Sequence, residues 1–418
     1  MNQSPEARSI AVIGGGIVGL SAAMQLLIDG YDVTVFDKDE PMQACSAGNA
    51  GYLSEANIFP PASPDMLWQM PRLLLAKEGP LVINPRYVGS MLPWSRSALK
   101  VLKPSTLANV TDTLAGMTRM AFGAITALAR QANAQGLLTR DGGLVAYKTV
   151  AGLEKKSVHL PTWNGYGLTV RRLSAVEVQD MEPALAKDIV GGLLFENSGR
   201  CSNPQGLGLQ YAEHLALHGA QILRSEVGGV LTQPDGRVLV QSTAGNQVFD
   251  QVVVCAGFWS GPLLKPYFKR VPLISERGYH LMLPKSGISL KRPVVFGEPH
   301  FAATTMDDGL RLAGTAEFAS ADSPANWGRA RMLLSLAKQY LRHVEGEGAK
   351  QWMGVRPSLP DGLPAIGTVR ESPSIHYAFG HAHNGLTLSA VSAMCISALV
   401  RQSLPPVDIA PMRLERFG

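Results

Sequence analysis

Two sets of residues in this chain of 418 have the types and spacing that chemistry requires. The first is Gly14-Gly15-Gly16-Ile17-Val18-Gly19, followed about 20 residues on by Asp37. In this G-x-G-x-x-G pattern Gly14 allows a tight turn, Gly16 lets backbone come close to a pyrophosphate, and Gly19 lets a helix pack on a strand. Asp37 then presents a carboxylate to ribose hydroxyls. The second is Arg356 in Gly354-Val355-Arg356-Pro357. A guanidinium is a planar fork that matches a carboxylate through two parallel hydrogen bonds, and a structural bridge between domains is the lesser alternative for such an arginine.

The elements around the glycines must hold them in register. An apolar run, Ile10–Ile13, enters the motif; a helical pattern follows; a second apolar run, Val33–Phe36, ends at Asp37. Strand, glycine turn, helix, strand and acid form the βαβ unit that binds an ADP moiety, with the free N–H groups of the helix N-terminus turned to phosphate. The chain is therefore expected to bind FAD or a nicotinamide dinucleotide.

Other chemistries find little support. Cys45, Cys201, Cys255 and Cys395 never form C-x-x-C, which argues against iron–sulfur ligation, a zinc ribbon or a disulfide framework. His214 and His218 have a spacing that could grip a metal, but no third His lies nearby in sequence, so no metal site is expected. Lys+Arg 38 against Asp+Glu 33 leaves +5, spread without a run of like charges, which speaks against nucleic acid and suits an anionic ligand or a loose contact with an acidic membrane surface. At 46% hydrophobic and 17% charged, the composition is that of a folded protein with a large core. No apolar run is long enough to span a bilayer, and the N-terminal apolar stretch reads as the βαβ unit rather than a signal peptide. A cytoplasmic protein is expected, with peripheral contact at the inner face of a membrane left open.

Further along, Cys45–Tyr52 is a small-residue loop that can approach a flat ligand or serve only as a connection. The segment from Pro60 to Pro104 is rich in Pro, Trp, Leu and basic residues and reads as a lid or an excursion. Helices are expected over Leu107–Met120, Ala121–Gln135, Pro204–Gly219 and Ala330–His343. Strands are expected at Gly143–Tyr147, Gly191–Glu196, Gln251–Val254 and Ile375–Phe379, and a last apolar helix runs to Val400. Trp352–Pro357 is expected to return the chain to the dinucleotide unit.

These motifs together resemble the FAD-dependent D-amino-acid oxidase family, which includes glycine oxidase, sarcosine oxidases and bacterial D-amino-acid dehydrogenases. The resemblance rests on the glycine fingerprint, Ser46–Gly51, Val254-Cys255-Ala256-Gly257, Gly354-Val355-Arg356-Pro357 with Asp361-Gly362-x-Pro364-x-Ile366-Gly367, and Gly380-His381-x-x-Asn384-Gly385. Glu276-Arg277-Gly278-Tyr279-His280 and the Pro60–Pro104 excursion look most like the dehydrogenase branch, including relatives acting on D-hydroxyproline.

The resemblance implies an α/β fold: a Rossmann-like FAD-binding domain of the GR2 type (1–57, 200–262 and 350–418) interleaved with an α+β substrate domain on an antiparallel sheet (58–199 and 263–349). It implies noncovalent FAD against Gly14, Gly16, Ile17, Val18, Gly19, Asp37 and Lys38; against Ser46, Gly48, Asn49, Ala50 and Gly51; and against Val227, Ala256, Gly257, His381, Asn384, Gly385, Leu386 and Thr387. Arg356 would hold the substrate carboxylate, with Tyr279, His280 and His383 as candidates to line the pocket. Where small family oxidases carry a pocket tyrosine this chain reads Phe301-Ala302-Ala303, which implies a roomier pocket.

The implied reaction is dehydrogenation of a D-amino acid or cyclic imino acid, such as D-proline or D-hydroxyproline, by hydride transfer from Cα to flavin N5. Electrons would pass to a quinone or another carrier. An oxidase that uses O2, a nicotinamide dehydrogenase and an FAD-binding subunit working with partner subunits remain as alternatives.

Overall fold

A computed structural model describes residues 8–60 and 79–418. Its fold is mixed α/β, built on two large sheets. The first has six strands in the spatial order Gln221–Arg224, Asp32–Asp37, Ser9–Ile13, Gln251–Val254, Ser372–Phe379 and Ala365–Val369. All neighbours are parallel except the last pair. Ile10, Ala11, Val12, Val252, Val253 and Val254 are fully buried, as unbroken apolar runs must be when both faces of a parallel sheet are covered. One face carries the helices Ile17–Ile28, Pro204–Leu217 and Gly385–Val400, the first and last packed on each other. The other face is covered by the three-stranded sheet Val227–Thr232, Val238–Ser242 and Gly245–Phe249 through Val230, Val240 and Phe249.

The second sheet has nine strands. Eight run in the order Lys350–Ser358, Ile274–Leu283, Gly309–Phe318, Phe301–Met306, Val294–Phe296, Gly143–Tyr147, Gly191–Phe195 and Val170–Ser174, and Leu81–Ile83 pairs on Gly309–Phe318. Most pairs are antiparallel. The helix Trp327–Tyr340 buries Leu333, Leu336 and Ala337 against Leu281, Leu283 and Leu312 on one face of this sheet. Each such fully buried leucine contributes about 1.5–3 kcal/mol.

Four expectations need correction. The two helices expected over Leu107–Gln135 are one helix, Pro104–Gln131, because its buried stripe of Val110, Leu114, Met117, Ala121, Ile125 and Leu128 keeps helical spacing across the supposed break. That helix, although it comes from the 58–199 segment, packs on Gly385–Val400 over the first sheet. The strand Lys350–Ser358, expected to open the return to the dinucleotide unit, pairs with Ile274–Leu283 at the edge of the second sheet; the chain rejoins the first sheet only at Ala365. The helix expected at Ala330–His343 begins at Trp327, whose ring meets Tyr279 edge-on, and ends at Tyr340. Within the Pro60–Pro104 excursion, 61–78 lie outside the described residues, and the remainder forms the strand Leu81–Ile83 and the helix Val88–Val101.

Candidate functional site

A pocket opens over the carboxyl ends of the parallel strands, where Ile13, Asp37, Cys255 and Phe379 leave the first sheet. Ligands of open α/β sheets sit in this place because the following turns leave N–H groups and glycines unpaired there. Gly14 holds φ at +118°, and a Cβ on it would overlap the Cys255 carbonyl. At Gly19 a Cβ would overlap the Gly14 carbonyl oxygen. Both glycines are thus required by protein packing. Gly16 differs: a Cβ there meets only the Ser46 hydroxyl, at 3.1 Å, so the space beside it is left for a ligand. Gly16 also caps the helix Ile17–Ile28 in extended backbone, without a side chain of its own to cap it and without an acid in the first turn, so the positive helix end faces the pocket with no carboxylate of the helix to offset it.

Asp37 closes the turn from the other strand. Its carboxylate accepts from Gly15 N at 2.5 Å and Asp39 N at 3.0 Å, which leaves lone pairs for a diol. Lys38, also in the wall, lies over the Trp259 ring at 4.2 Å.

The small-residue loop is fastened to the second sheet. Arg311 Nη1 donates to the carbonyls of Ala47 at 3.2 Å and Asn49 at 2.6 Å, and His280 Nδ1 donates to Gly48 O at 3.1 Å. Burial pushes the His280 imidazole down to about 3, so the ring is a neutral donor. Gly48 is small because Trp352 occupies the place of its Cβ, and that indole stacks on His280 with centroids 4.8 Å apart. Ser46 meets the helix directly, its Oγ accepting from Ile17 N at 3.1 Å.

Of the expected cofactor residues, the pocket wall holds Gly14, Gly16, Ile17, Val18, Asp37, Lys38, Ser46, Asn49, Val227, Ala256, Gly257, His381, Gly385 and Leu386. Gly19, Gly48, Ala50, Gly51, Asn384 and Thr387 do not line it. Asn384 Oδ1 accepts from Asn57 Nδ2 at 3.1 Å, which ties the last turn to the segment that follows the small-residue loop. His381 shares a 2.8 Å hydrogen bond with Ser392 and is driven by burial to about 3, a neutral part of the wall.

Arg356 lies beside this pocket on the strand whose Val355 and Pro357 help form the wall. It stands opposite Glu276 in register, and its Nη1 donates to Glu276 Oε1 at 3.0 Å. The guanidinium rests over Gly278, where a Cβ would overlap it. Ser358 Oγ donates to Glu276 Oε2 at 2.6 Å, and His383 Nδ1 stands 3.6 Å from Oε1. Burial would raise the Glu276 carboxyl, but His383, Arg356 and Ser358 outweigh it and hold the group below the usual carboxylate range. Cys45, at the pocket's edge, is raised by burial to about 11 and is an inert thiol.

Tyr279 does not join this group. Strand residues alternate between faces, so Glu276, Gly278 and His280 share Arg356's face while Tyr279 turns to the helix Trp327–Tyr340. There it is 1% exposed, donates to Glu317 and accepts from Asn326 N at 3.0 Å. Glu276 and Ser358 were missed as site residues, since only strand pairing brings them to Arg356. Among the described residues no cluster could hold a metal, and His214 and His218 stack on each other with centroids 3.9 Å apart.

The family model for DAO, FAD dependent oxidoreductase, matches residues 9–399. D-amino-acid oxidase of Bradyrhizobium diazoefficiens is 33% identical over 99% of this chain and 100% of its own length. D-amino acid dehydrogenase of Sinorhizobium medicae is 30% identical over 98% and 100%. Glycine oxidase from Geobacillus kaustophilus has the same fold, with a TM-score of 0.77 at 21% identity over 98% of this chain and 99% of that one.

Proposed function

The chain belongs to the DAO family of FAD-dependent oxidoreductases, and from that premise we propose that it dehydrogenates a D-amino acid or a cyclic imino acid such as D-proline or D-hydroxyproline. FAD is its cofactor, and the cradle at Gly14–Gly19, Asp37 and Ser46 fits a dinucleotide: one glycine leaves ligand space, a carboxylate faces it and a helix end meets it. The observation that carries the substrate reading is Arg356, held by Glu276 on the strand that borders this pocket and near enough to the pocket-lining Cys45 for its charge to act on that thiol.

When bound, FAD supplies the acceptor for the hydrogen and electron pair leaving the substrate Cα. The protein's part is placement. Arg356 holds the substrate carboxylate and so sets where Cα points. Gly278 and Gly354, paired across the two strands, leave the places that the guanidinium and the Trp352 indole occupy, which fixes where both side chains lie. The start of the helix Gly385–Val400 lines the pocket through Gly385 and Leu386, and its positive end would offset negative charge that a bound flavin gains on reduction.

An anaerobic screen of flavin bleaching with D- and L-amino acids, glycine, sarcosine and both hydroxyprolines tests the reading. Bleaching by a D-amino or imino acid is expected; none by any amino acid overturns it in favour of an FAD-binding subunit. Peroxide released during aerobic turnover would make O2 the acceptor in place of the quinone or other carrier proposed here.

Asp37→Ala is expected to weaken FAD by about 1–3 kcal/mol, the cost of a lost charged hydrogen bond. Titration of the apoprotein with FAD measures it, and an unchanged dissociation constant assigns the ribose contact elsewhere.

The membrane contact rests on the helix Val88–Val101. Val88, Leu92 and Leu99 lie on one stripe at 50%, 59% and 59% exposure, beside exposed Arg96, Lys100 and Lys103, with no acid from Gly79 to Thr111. We propose that this stripe meets an anionic lipid surface, where each basic residue contributes about 1 kcal/mol. Among the described residues no helix is long and apolar enough to cross a membrane. Co-sedimentation with phosphatidylglycerol vesicles at low salt is expected, weakened when Arg96, Lys100 and Lys103 become alanine. Equal sedimentation with and without the vesicles overturns the contact.

A further inference from the structure

The carboxylate of Glu276 stands where no requirement for dinucleotide binding or carboxylate recognition would put one. It is 7% exposed and takes one edge of the guanidinium that a substrate carboxylate would also use. Ser358 and His383 hold it from the other sides, at 2.6 and 3.6 Å, so it is a fixed charge rather than a swinging one. Arg356 and Glu276 together sum to zero.

This balance decides what the site can accept. A plain carboxylate added to Arg356 would leave one uncompensated negative charge beside a buried acid, and like charges a few ångströms apart in a poorly solvated site repel strongly. An α-amino or cyclic imino acid brings its own cation on the atom next to the carboxylate-bearing carbon. With its carboxylate on the remaining edge of Arg356, its nitrogen falls within reach of Glu276, because both groups start from one guanidinium. Gly278, whose missing Cβ leaves the place that the guanidinium takes, holds Arg356 flat against the strand that carries Glu276.

We propose that Glu276 is the specificity-determining residue for the substrate nitrogen: its carboxylate selects zwitterionic α-amino and cyclic imino acids and rejects α-hydroxy acids, simple carboxylates and N-acylated amino acids. The inference rests on the reading of this protein as an amino-acid dehydrogenase and adds the group that recognises the amine. Selectivity arises as a difference, from attraction for the ammonium together with repulsion of an unaccompanied carboxylate.

Glu276→Gln keeps the shape and can still accept from Ser358, but it removes the charge. The holoenzyme and this variant are compared, without oxygen, for binding of two matched pairs read by flavin absorbance: D-proline with tetrahydrofuran-2-carboxylate, and D-alanine with propanoate. In the wild type each amino acid is expected to bind at least tenfold tighter than its nitrogen-free partner. In the variant that preference collapses: the amino acids weaken about ten- to a hundredfold while the plain carboxylates bind equally well or better. Glu276→Asp, which restores the charge, is expected to recover part of the preference. If amino acids and plain carboxylates weaken by the same factor, Glu276 only props Arg356 and the proposal fails; it fails also if neither changes. A wild-type flavin perturbed by carboxylates but by no amino acid would instead overturn the proposed function, and this inference with it. Flavin content of both variants, expected to be normal, separates these outcomes from misfolding.

Discussion

The Gly16→Val variant is expected to purify folded and without flavin. Valine suits the backbone at this position, which is extended with φ −78° and ψ 175°, and the only protein atom its Cβ would crowd is the Ser46 hydroxyl at 3.1 Å, which can rotate. Its methyl groups would instead fill the space at the helix N-terminus that Gly16 leaves open to the pocket. The pyrophosphate would then be kept from the N–H groups that attract it. A loss of more than a hundredfold in FAD affinity, about 2.7 kcal/mol or more, is expected. Far-ultraviolet circular dichroism should match that of the wild-type apoprotein. Gly14→Val and Gly19→Val are controls of opposite kind, because there the added carbon overlaps backbone and the fold itself suffers. Stoichiometric FAD in purified Gly16→Val would show that the dinucleotide lies elsewhere.

Arg356→Lys is the second large effect. Lysine keeps the charge but replaces a planar fork by a point, so one contact must serve for both the Glu276 pairing and the substrate carboxylate. The substrate then loses about one charge-assisted hydrogen bond, 1.5–3 kcal/mol, and Cα drifts from its reactive position. Flavin reduction at low substrate should fall roughly ten- to a hundredfold while FAD content stays normal. Arg356→Ala should lose more activity and also stability, since Glu276 would remain buried with only Ser358 and His383 against it. Single-turnover flavin reduction measures the first effect and urea unfolding the second. Reduction at the wild-type rate in Arg356→Lys would make the arginine a structural partner of Glu276 alone.

The dinucleotide half of the site was legible because its determinants are local. The residues from Ser9 to Asp37 carry strand, turn, helix and acid in one stretch, and the structure places Gly15 and Asp37 together across a single sheet spacing. The substrate half was legible only in part. Arg356 announces itself by residue type and motif, yet Tyr279, three residues from Glu276 in one strand, was assigned to the pocket although it turns away. Alternation says that Glu276 and Tyr279 lie on opposite faces; it does not say which face meets the cofactor unit. That choice is made by the helix Trp327–Tyr340, whose first residue packs on Tyr279, and by the turn carrying His383, which comes from the other sheet.

The same division explains the loop Ser46–Gly51. Its small residues read as a place where backbone approaches a ligand, and Ser46 and Asn49 do line the pocket. Gly48 is small for another reason, the indole of Trp352 more than 300 residues away, and the loop is held by Arg311 and His280 from the second sheet. The merged helix Pro104–Gln131 was readable in the spacing of Val110 through Leu128, but its partner, Gly385–Val400, was not.

By itself, then, the amino-acid sequence determined the βαβ unit and its fitness for a dinucleotide and singled out Arg356, because turns, capping and periodicity are set by residues within a few positions of one another. Tertiary structure alone decided that Glu276, Ser358 and His383 meet at Arg356. Their meeting depends on the antiparallel register of Ile274–Leu283 with Lys350–Ser358 and on the packing of one sheet's edge over the other sheet's last turn. Register is chosen by which face the whole strand can bury, a sum over many weak contacts that no single residue encodes.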